Sequence, residues 1–285
     1  MSRPNPSTLR KRAQSWLPVD EEADTPKRDA ALERAAQIEG APPELVLTFA
    51  LNSWMQALVD ADDDALAAPL ATKTSERAIV TDEACPPLAA FGAVVGARVS
   101  GRPVVLHGSA SDAALMEAFW SFDKGVRIAD PDEAPPDDAL LISPDPETCA
   151  VAVLDGRESA DDYEGLAQDV LAVGGRGERS VRLILAPPDV TPDAFLAACA
   201  DLRALLPAER ASTARLRMAA AFVKKSGTPC AYLDDYSLLI TRGEPDVLPP
   251  GQVRWVVLDD PKSAADLLAT VRVSVVTRRE ESKRY

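Results

Sequence analysis

The sequence predicts an α/β protein in two parts, each built on a mainly parallel sheet. Three observations carry that expectation. Short apolar runs alternate with helical stripes of 10–15 residues, as βαβ units do. The chain has 285 residues, enough for one large domain or two ordinary ones. Hydrophobic residues make up 46% and charged residues 27%, enough apolar material for a sizeable core.

The elements follow in order. Residues 1–26 are polar, charged and proline-containing, and read as a flexible lead. A helix is predicted from Asp29 to Glu39, stopped by Gly40. A second begins after Pro42-Pro43, with Leu47, Leu51, Trp54 and Leu58 on one stripe. Ala78-Ile79-Val80 is a first strand, followed by Pro86-Pro87 and an Ala/Gly/Val-rich helix reaching Val99. Strands are predicted at 103–106, 126–128 and 139–142, with a helix capped by Ser111 and carrying Asp112 in its first turn. An acidic proline-rich loop fills 131–138, and the boundary between the two parts falls near 144–149.

Beyond it, 150–154 is a strand and 159–173 a helix that ends in Gly174-Gly175-Arg176-Gly177-Glu178. A strand at 181–185 leads to a helix opened by Thr191 as cap and Pro192 at its first position. A long helix at 208–225, strands at 236–241 and 254–258, a helix at 263–269 and a strand at 271–277 complete the pattern. The last strand is expected to pair with the other domain or with another subunit, because an open strand edge invites pairing. The division expected is therefore a lead (1–26), a helical entry with a first α/β domain (27–147), and a second α/β domain (148–285).

Charge and cysteines narrow the function classes. The formal net charge is −14, which argues against nucleic acid as a partner, since its binders need a basic face. Arg10-Lys11-Arg12 and the basic C-terminal residues read as solvated tails or as a grip on an acidic partner. Cys85, Cys149, Cys199 and Cys230 show no CxxC pair and no zinc spacing, so a reducing cytoplasm is the expected setting. The first residues hold no apolar signal core, and no window has the roughly 18 apolar residues of a membrane helix. A single histidine, His107, makes a Ser–His–Asp triad hard to place.

Two passages resemble acyl-CoA reductases of the aldehyde dehydrogenase superfamily. One runs from Val151-Ala152-Val153-Leu154-Asp155-Gly156, through the helix with Leu166-Ala167-Gln168-Asp169-Val170, to Gly175-Arg176-Gly177-Glu178-Arg179-Ser180-Val181. It is similar to the segment in which a glycine-flanked cysteine precedes Arg-Ser-Val and a strand. The other, 84–109, looks like the nucleotide-side βαβ unit, with Ser100-Gly101 before the strand 104–106. The resemblance implies an aldehyde dehydrogenase-like fold with a Rossmann-like nucleotide domain and NADPH as cofactor. Fatty acyl-CoA is the implied substrate, with a homo- or hetero-oligomer as the assembly. In that chemistry a thiolate attacks the thioester, CoA leaves, and hydride releases an aldehyde.

The same resemblance places Glu178 at the nucleophile position, flanked by Gly177 and Arg179, and puts Pro86, His107 and Ser109 on the cofactor side. The sequence departs from the family here, because a carboxylate is a far weaker nucleophile than a thiolate and gives a labile anhydride. His107 stands where a lysine is usual, and the stretch after Ile142 is shortened to Ser143-Pro144-Asp145-Pro146-Glu147. Two functions follow as expectations: NADPH-dependent reduction impaired at Glu178, or a non-catalytic scaffold pairing with an active reductase. For single residues the alternatives stay open. Glu178 is a general base or a solvated loop carboxylate, and the Gly174-Gly175 turn is an anion nest or a plain turn. His107 contacts a nucleotide or simply ends a strand. Cys85 lies on the nucleotide-side loop, where it is a candidate substitute nucleophile.

Overall fold

A computed structural model describes residues 4–18, 25–61, 76–82, 85–143, 148–176, 180–206, 208 and 210–259, and the backbone of 273–278. The chain divides into two compact units, Met1–Ser143 and Pro144–Tyr285.

The first unit carries a four-stranded parallel sheet: β1 (Arg77–Thr81), β2 (Val104–His107), β3 (Val126–Ile128) and β4 (Leu140–Ile142), in the order β3-β2-β1-β4. Its helices are α1 (Pro6–Gln14), α2 (Pro26–Ala36), α3 (Glu44–Asp60), α4 (Phe91–Val99) and α5 (Ala110–Trp120). The chain builds outward from β1 to β3 and then returns past β1 to β4, so the direction of winding switches at β1. Ligands of open parallel sheets bind at such a point, beyond the carboxyl ends of the strands.

The core explains the helices. Leu47, Leu51, Met55 and Leu58 of α3 are buried on one stripe, and Trp54 packs beside it on Phe91, ring centroids 5.4 Å apart. Gly92 is required there, since a Cβ would lie 2.8 Å from the Trp54 ring. Phe119 meets Trp16 at 5.2 Å, Phe91 at 5.2 Å and Trp120 at 5.4 Å, an aromatic centre in edge-to-face and tilted contacts. Residues 6–14, expected within a flexible lead, instead form α1. Asn5 caps it, and Leu9, Ala13 and Trp16 bury themselves in this core, which outweighs the polar composition around them.

The second unit carries a six-stranded sheet in the order β10-β5-β6-β9-β8-β7. The strands are β5 (Cys149–Val153), β6 (Val181–Ala186), β7 (Cys230–Tyr232), β8 (Leu239–Arg242), β9 (Gln252–Val257) and β10 (Val273–Arg278). All neighbours are parallel except the β7–β8 hairpin. Every residue of β6 is buried, as a strand covered on both faces requires. Helices α6 (Ala160–Leu171), α7 (Asp193–Leu205) and α8 (Arg210–Lys225) accompany it. Ser159 and Asp162 form a reciprocal capping box at the start of α6.

Several expectations change. The last strand pairs in parallel with β5 of its own unit, at the edge of that sheet. Ser109, not Ser111, caps α5, because its hydroxyl accepts the Asp112 amide at 3.1 Å. Thr191 does not cap α7; its hydroxyl donates to the Asp193 carboxylate at 2.8 Å, and Pro192 stands at the cap. β7 is too short and too plain in composition to read from sequence. The helix expected at 263–269 lies outside the described residues.

Candidate functional site

The first sheet gathers its reactive side chains at the carboxyl ends of its strands. Register sets Val80 opposite His107 and Thr81 opposite Ile142, which brings Thr81, His107 and Ile142 to one edge. The loop after β1 folds back on that edge. The Asp82 amide donates to the Ile142 carbonyl at 2.8 Å, and the Cys85 thiol donates to the same carbonyl at 3.3 Å. Pro86 is half-buried in this loop, its carbonyl accepting from Ala89 at 3.2 Å.

The loop is tied to α5 through Asp112, a buried carboxyl near the helix start. It accepts the Leu88 amide, and Leu88 takes a left-handed φ of 59°. That conformation is costly for a branched side chain and persists only where the surroundings fix it. Burial pushes the Asp112 carboxyl up to about 6, against the smaller opposing pull of the Leu88 and Ser109 hydrogen bonds. The Ser109 hydroxyl lies 3.1 Å from that of Ser111, so the first turn of α5 is closed by its own side chains. An external phosphate therefore finds fewer free donors here than at an uncapped helix start.

Two polar atoms at this edge stay buried without a partner: Thr81 Oγ1 and His107 Nε2. Thr81 Oγ1 lies 3.5 Å from the position of a Cβ on Gly108, next to His107. Unmatched buried polar atoms are costly, and a ligand hydroxyl would satisfy them. The neighbouring charges are carboxylates. Asp82 and Asp112 act on Cys85, and Glu133 sits near enough to His107 to feel its field. Arg127 is engaged by Glu133 in a two-point pair at 2.6 and 2.9 Å, which holds that carboxyl down at about 2. This set fits the hydroxyls of a nucleoside better than a phosphate group.

Three of the four thiols are held toward the protonated form. The Cys85 thiol is pushed up by burial first, then by Asp82 and Asp112, which outweigh an Asp82 backbone hydrogen bond. Burial raises Cys149 despite the nearby Arg182, and burial raises Cys199 strongly. Attack on a thioester needs thiolate, so each of these sites opposes it. The sequence-assigned centre, Gly177, Glu178 and Arg179, lies outside the described residues. The glycine turn before it is described. Gly174 donates to Leu171 at 3.0 Å and Arg176 to Val173 at 3.2 Å, so two of its amides serve the turn rather than an anion. Gly175, at φ 74°, passes so near Gly251 that a Cβ would sit 2.8 Å from that backbone nitrogen.

Structure thus brings together His107 and Ser109 of the expected residues, with Pro86 on the adjoining loop. It adds Thr81, Leu88 and Asp112, which the sequence reading missed. The Ser109-x-x-Asp112 spacing carried the signal for the cap; nothing in the sequence announced the left-handed Leu88. Among the described residues no His/Cys/Asp/Glu group is arranged to hold a metal, and no helix is long and apolar enough to cross a membrane.

No family model matches the sequence, and no curated protein matches it. Solved structures do. An NAD-dependent aldehyde dehydrogenase from Sinorhizobium meliloti aligns with a TM-score of 0.54 at 14% identity, over 98% of this chain and 74% of that one. An NAD-dependent benzaldehyde dehydrogenase from Corynebacterium glutamicum aligns with a TM-score of 0.50 at 11% identity, over 97% and 76%. The fold is aldehyde dehydrogenase-like, α/β with a Rossmann-like unit.

Proposed function

We propose that this chain is a nucleotide-binding relative of the acyl-CoA reductases that forms no thioacyl intermediate, and that acts as a scaffold or regulator beside an active reductase. The observation that carries the reading is the state of the thiols: Cys85, Cys149 and Cys199 are all held toward the protonated form, and the sequence resemblance would put Glu178 at the nucleophile position.

A nicotinamide dinucleotide, when bound, supplies or accepts hydride. Thr81 and His107 would hold a dinucleotide at this edge, on a turn ordered by Ser109. Carboxylates Asp82, Asp112 and Glu133 oppose a 2′-phosphate, so NADH is favoured over the NADPH that the sequence resemblance implies. The shared fold with NAD-dependent dehydrogenases supports the dinucleotide class.

The test is intact-mass spectrometry after incubation with a long-chain acyl-CoA. No acyl mass is gained by the wild type on this reading, whereas Glu178→Cys gains one. An acyl adduct on the wild type, mapped to any cysteine, overturns it.

A further inference from the structure

Helix α8 is apolar on two opposite faces. Leu216 and Ala220 lie against Leu239 of β8. On the outward side Met218 is 64% and Phe222 69% exposed. With the exposed Ala214 and Ala221 they fall at i, i+4, i+7 and i+8, a single stripe along the helix. The core does not need this second stripe, and large exposed apolar side chains in a row mark a contact surface.

The borders of the stripe are basic. Arg210, Arg215, Arg217, Lys224 and Lys225 all belong to α8, which has no acidic residue. Removing these five positive charges from a chain of −14 leaves −19 for the rest. Among the described residues no carboxylate pairs with any of the five. Three of them are held in place instead. Arg217 lies 5.1 Å from the centre of the Tyr236 ring and Lys224 4.1 Å from that of Tyr232, and the two rings stack at 4.9 Å. Arg215 donates to the Pro250 carbonyl at 3.2 Å. Cations anchored beside tyrosines around an apolar centre are the composition of energetic interface centres.

We propose that this face docks an acidic amphipathic helix of another protein. Apolar side chains would cover Met218 and Phe222, and carboxylates would lie along both basic borders. Charge complementarity selects this occupant. A second α8 presents five like charges and is repelled. A bilayer is not selected, because two large apolar side chains give a weak membrane grip. The 16 residues of α8 offer a track of about 24 Å, matching a partner helix of similar length.

The experiment uses the full chain and a fluorescently labelled synthetic helix-forming peptide with leucines on an i, i+4, i+7, i+11 stripe flanked by glutamates. A scrambled peptide of the same composition is the control. Anisotropy titration is expected to give a Kd on the order of 10 μM at about 50 mM salt, weakening at least about tenfold at about 500 mM. Met218→Glu with Phe222→Glu should abolish binding, and Arg215→Glu should weaken it, with unchanged melting of the far-UV dichroism. No binding, or equal binding of the scrambled peptide, overturns the proposal. So does self-association in sedimentation that Phe222→Glu removes, which assigns the face to a second copy. Co-sedimentation with phosphatidylserine vesicles also overturns it and assigns the face to a membrane.

Discussion

The first unit buries Arg98 and the second buries Arg182, and the bonds that tie them differ. Arg98, at the end of α4, is paired at two points with Asp123, Nε to Oδ2 at 2.8 Å and Nη2 to Oδ1 at 3.0 Å, and also donates to the Arg102 carbonyl. Arg182, in β6, donates to the backbone carbonyls of Thr148 and Leu248. In the first unit these bonds set charge against charge, and in the second two of the arginine's bonds tie its strand to loop carbonyls. The same contrast runs through their chemistry. The first unit gathers Asp82, Asp112, Glu133 and His107 around a sheet edge, while β5 and β6 of the second are apolar but for Arg182.

The comparison can be broken by substitution. Arg98→Met strands the Asp123 carboxylate in a poorly solvated site and is expected to cost about 3–5 kcal/mol, seen as a lower urea midpoint. Hydrogen exchange should place the loss in residues 77–128. Arg182→Met unties β6 from the Thr148 and Leu248 carbonyls and should lower stability by at least about 1–3 kcal/mol, with the loss in the second unit. Loss in the opposite unit for either variant would contradict this placement.

Asp112 sharpens it further. Its carboxyl titrates at about 6 in the folded chain against an ordinary 3.8. Between those values the folded state holds a proton that the unfolded state has lost, so stability falls as pH rises from about 4 to about 6 and stays lower above. Asp112→Asn should remove that slope and, at pH near 8, melt no lower than the wild type, with a gain of up to about 1–3 kcal/mol. A steeper pH profile in the variant would contradict the burial account. Ligand binding gives a subtler readout: NAD⁺ at about 1 mM should raise the melting temperature more than NADP⁺ does, and His107→Ala should erase the difference. The smallest effect is expected from Ser109→Ala, a lost helix cap worth about 1 kcal/mol in thermal melting.

Much of the fold was legible because burial leaves a periodic trace. The α3 stripe and the runs that became β1, β2, β5 and β6 all read correctly from spacing. What failed depended on contacts distant in sequence. α1 is polar by composition and is held by Trp16 against Phe119. The pairing of β10 with β5 joins residues more than 120 positions apart. At the candidate site, His107 and Ser109 were named from the resemblance around strand 104–106, and both lie at the carboxyl end of that strand. The Leu88–Asp112 tie was not, since a left-handed leucine has no sequence signature. The thiol states were equally hidden, because they arise from burial and from carboxylates brought in by the fold.

The central claim is that Cys85, Cys149 and Cys199 do not serve as nucleophiles. The most direct measurement follows oxidation of NADH and of NADPH with a long-chain acyl-CoA, comparing the wild type with Glu178→Cys and Cys85→Ser. The account predicts no turnover by the wild type or by Cys85→Ser, and turnover, with NADH preferred, only from Glu178→Cys. Turnover by the wild type that disappears in Cys85→Ser would contradict it, and would make Cys85 the nucleophile of an active reductase.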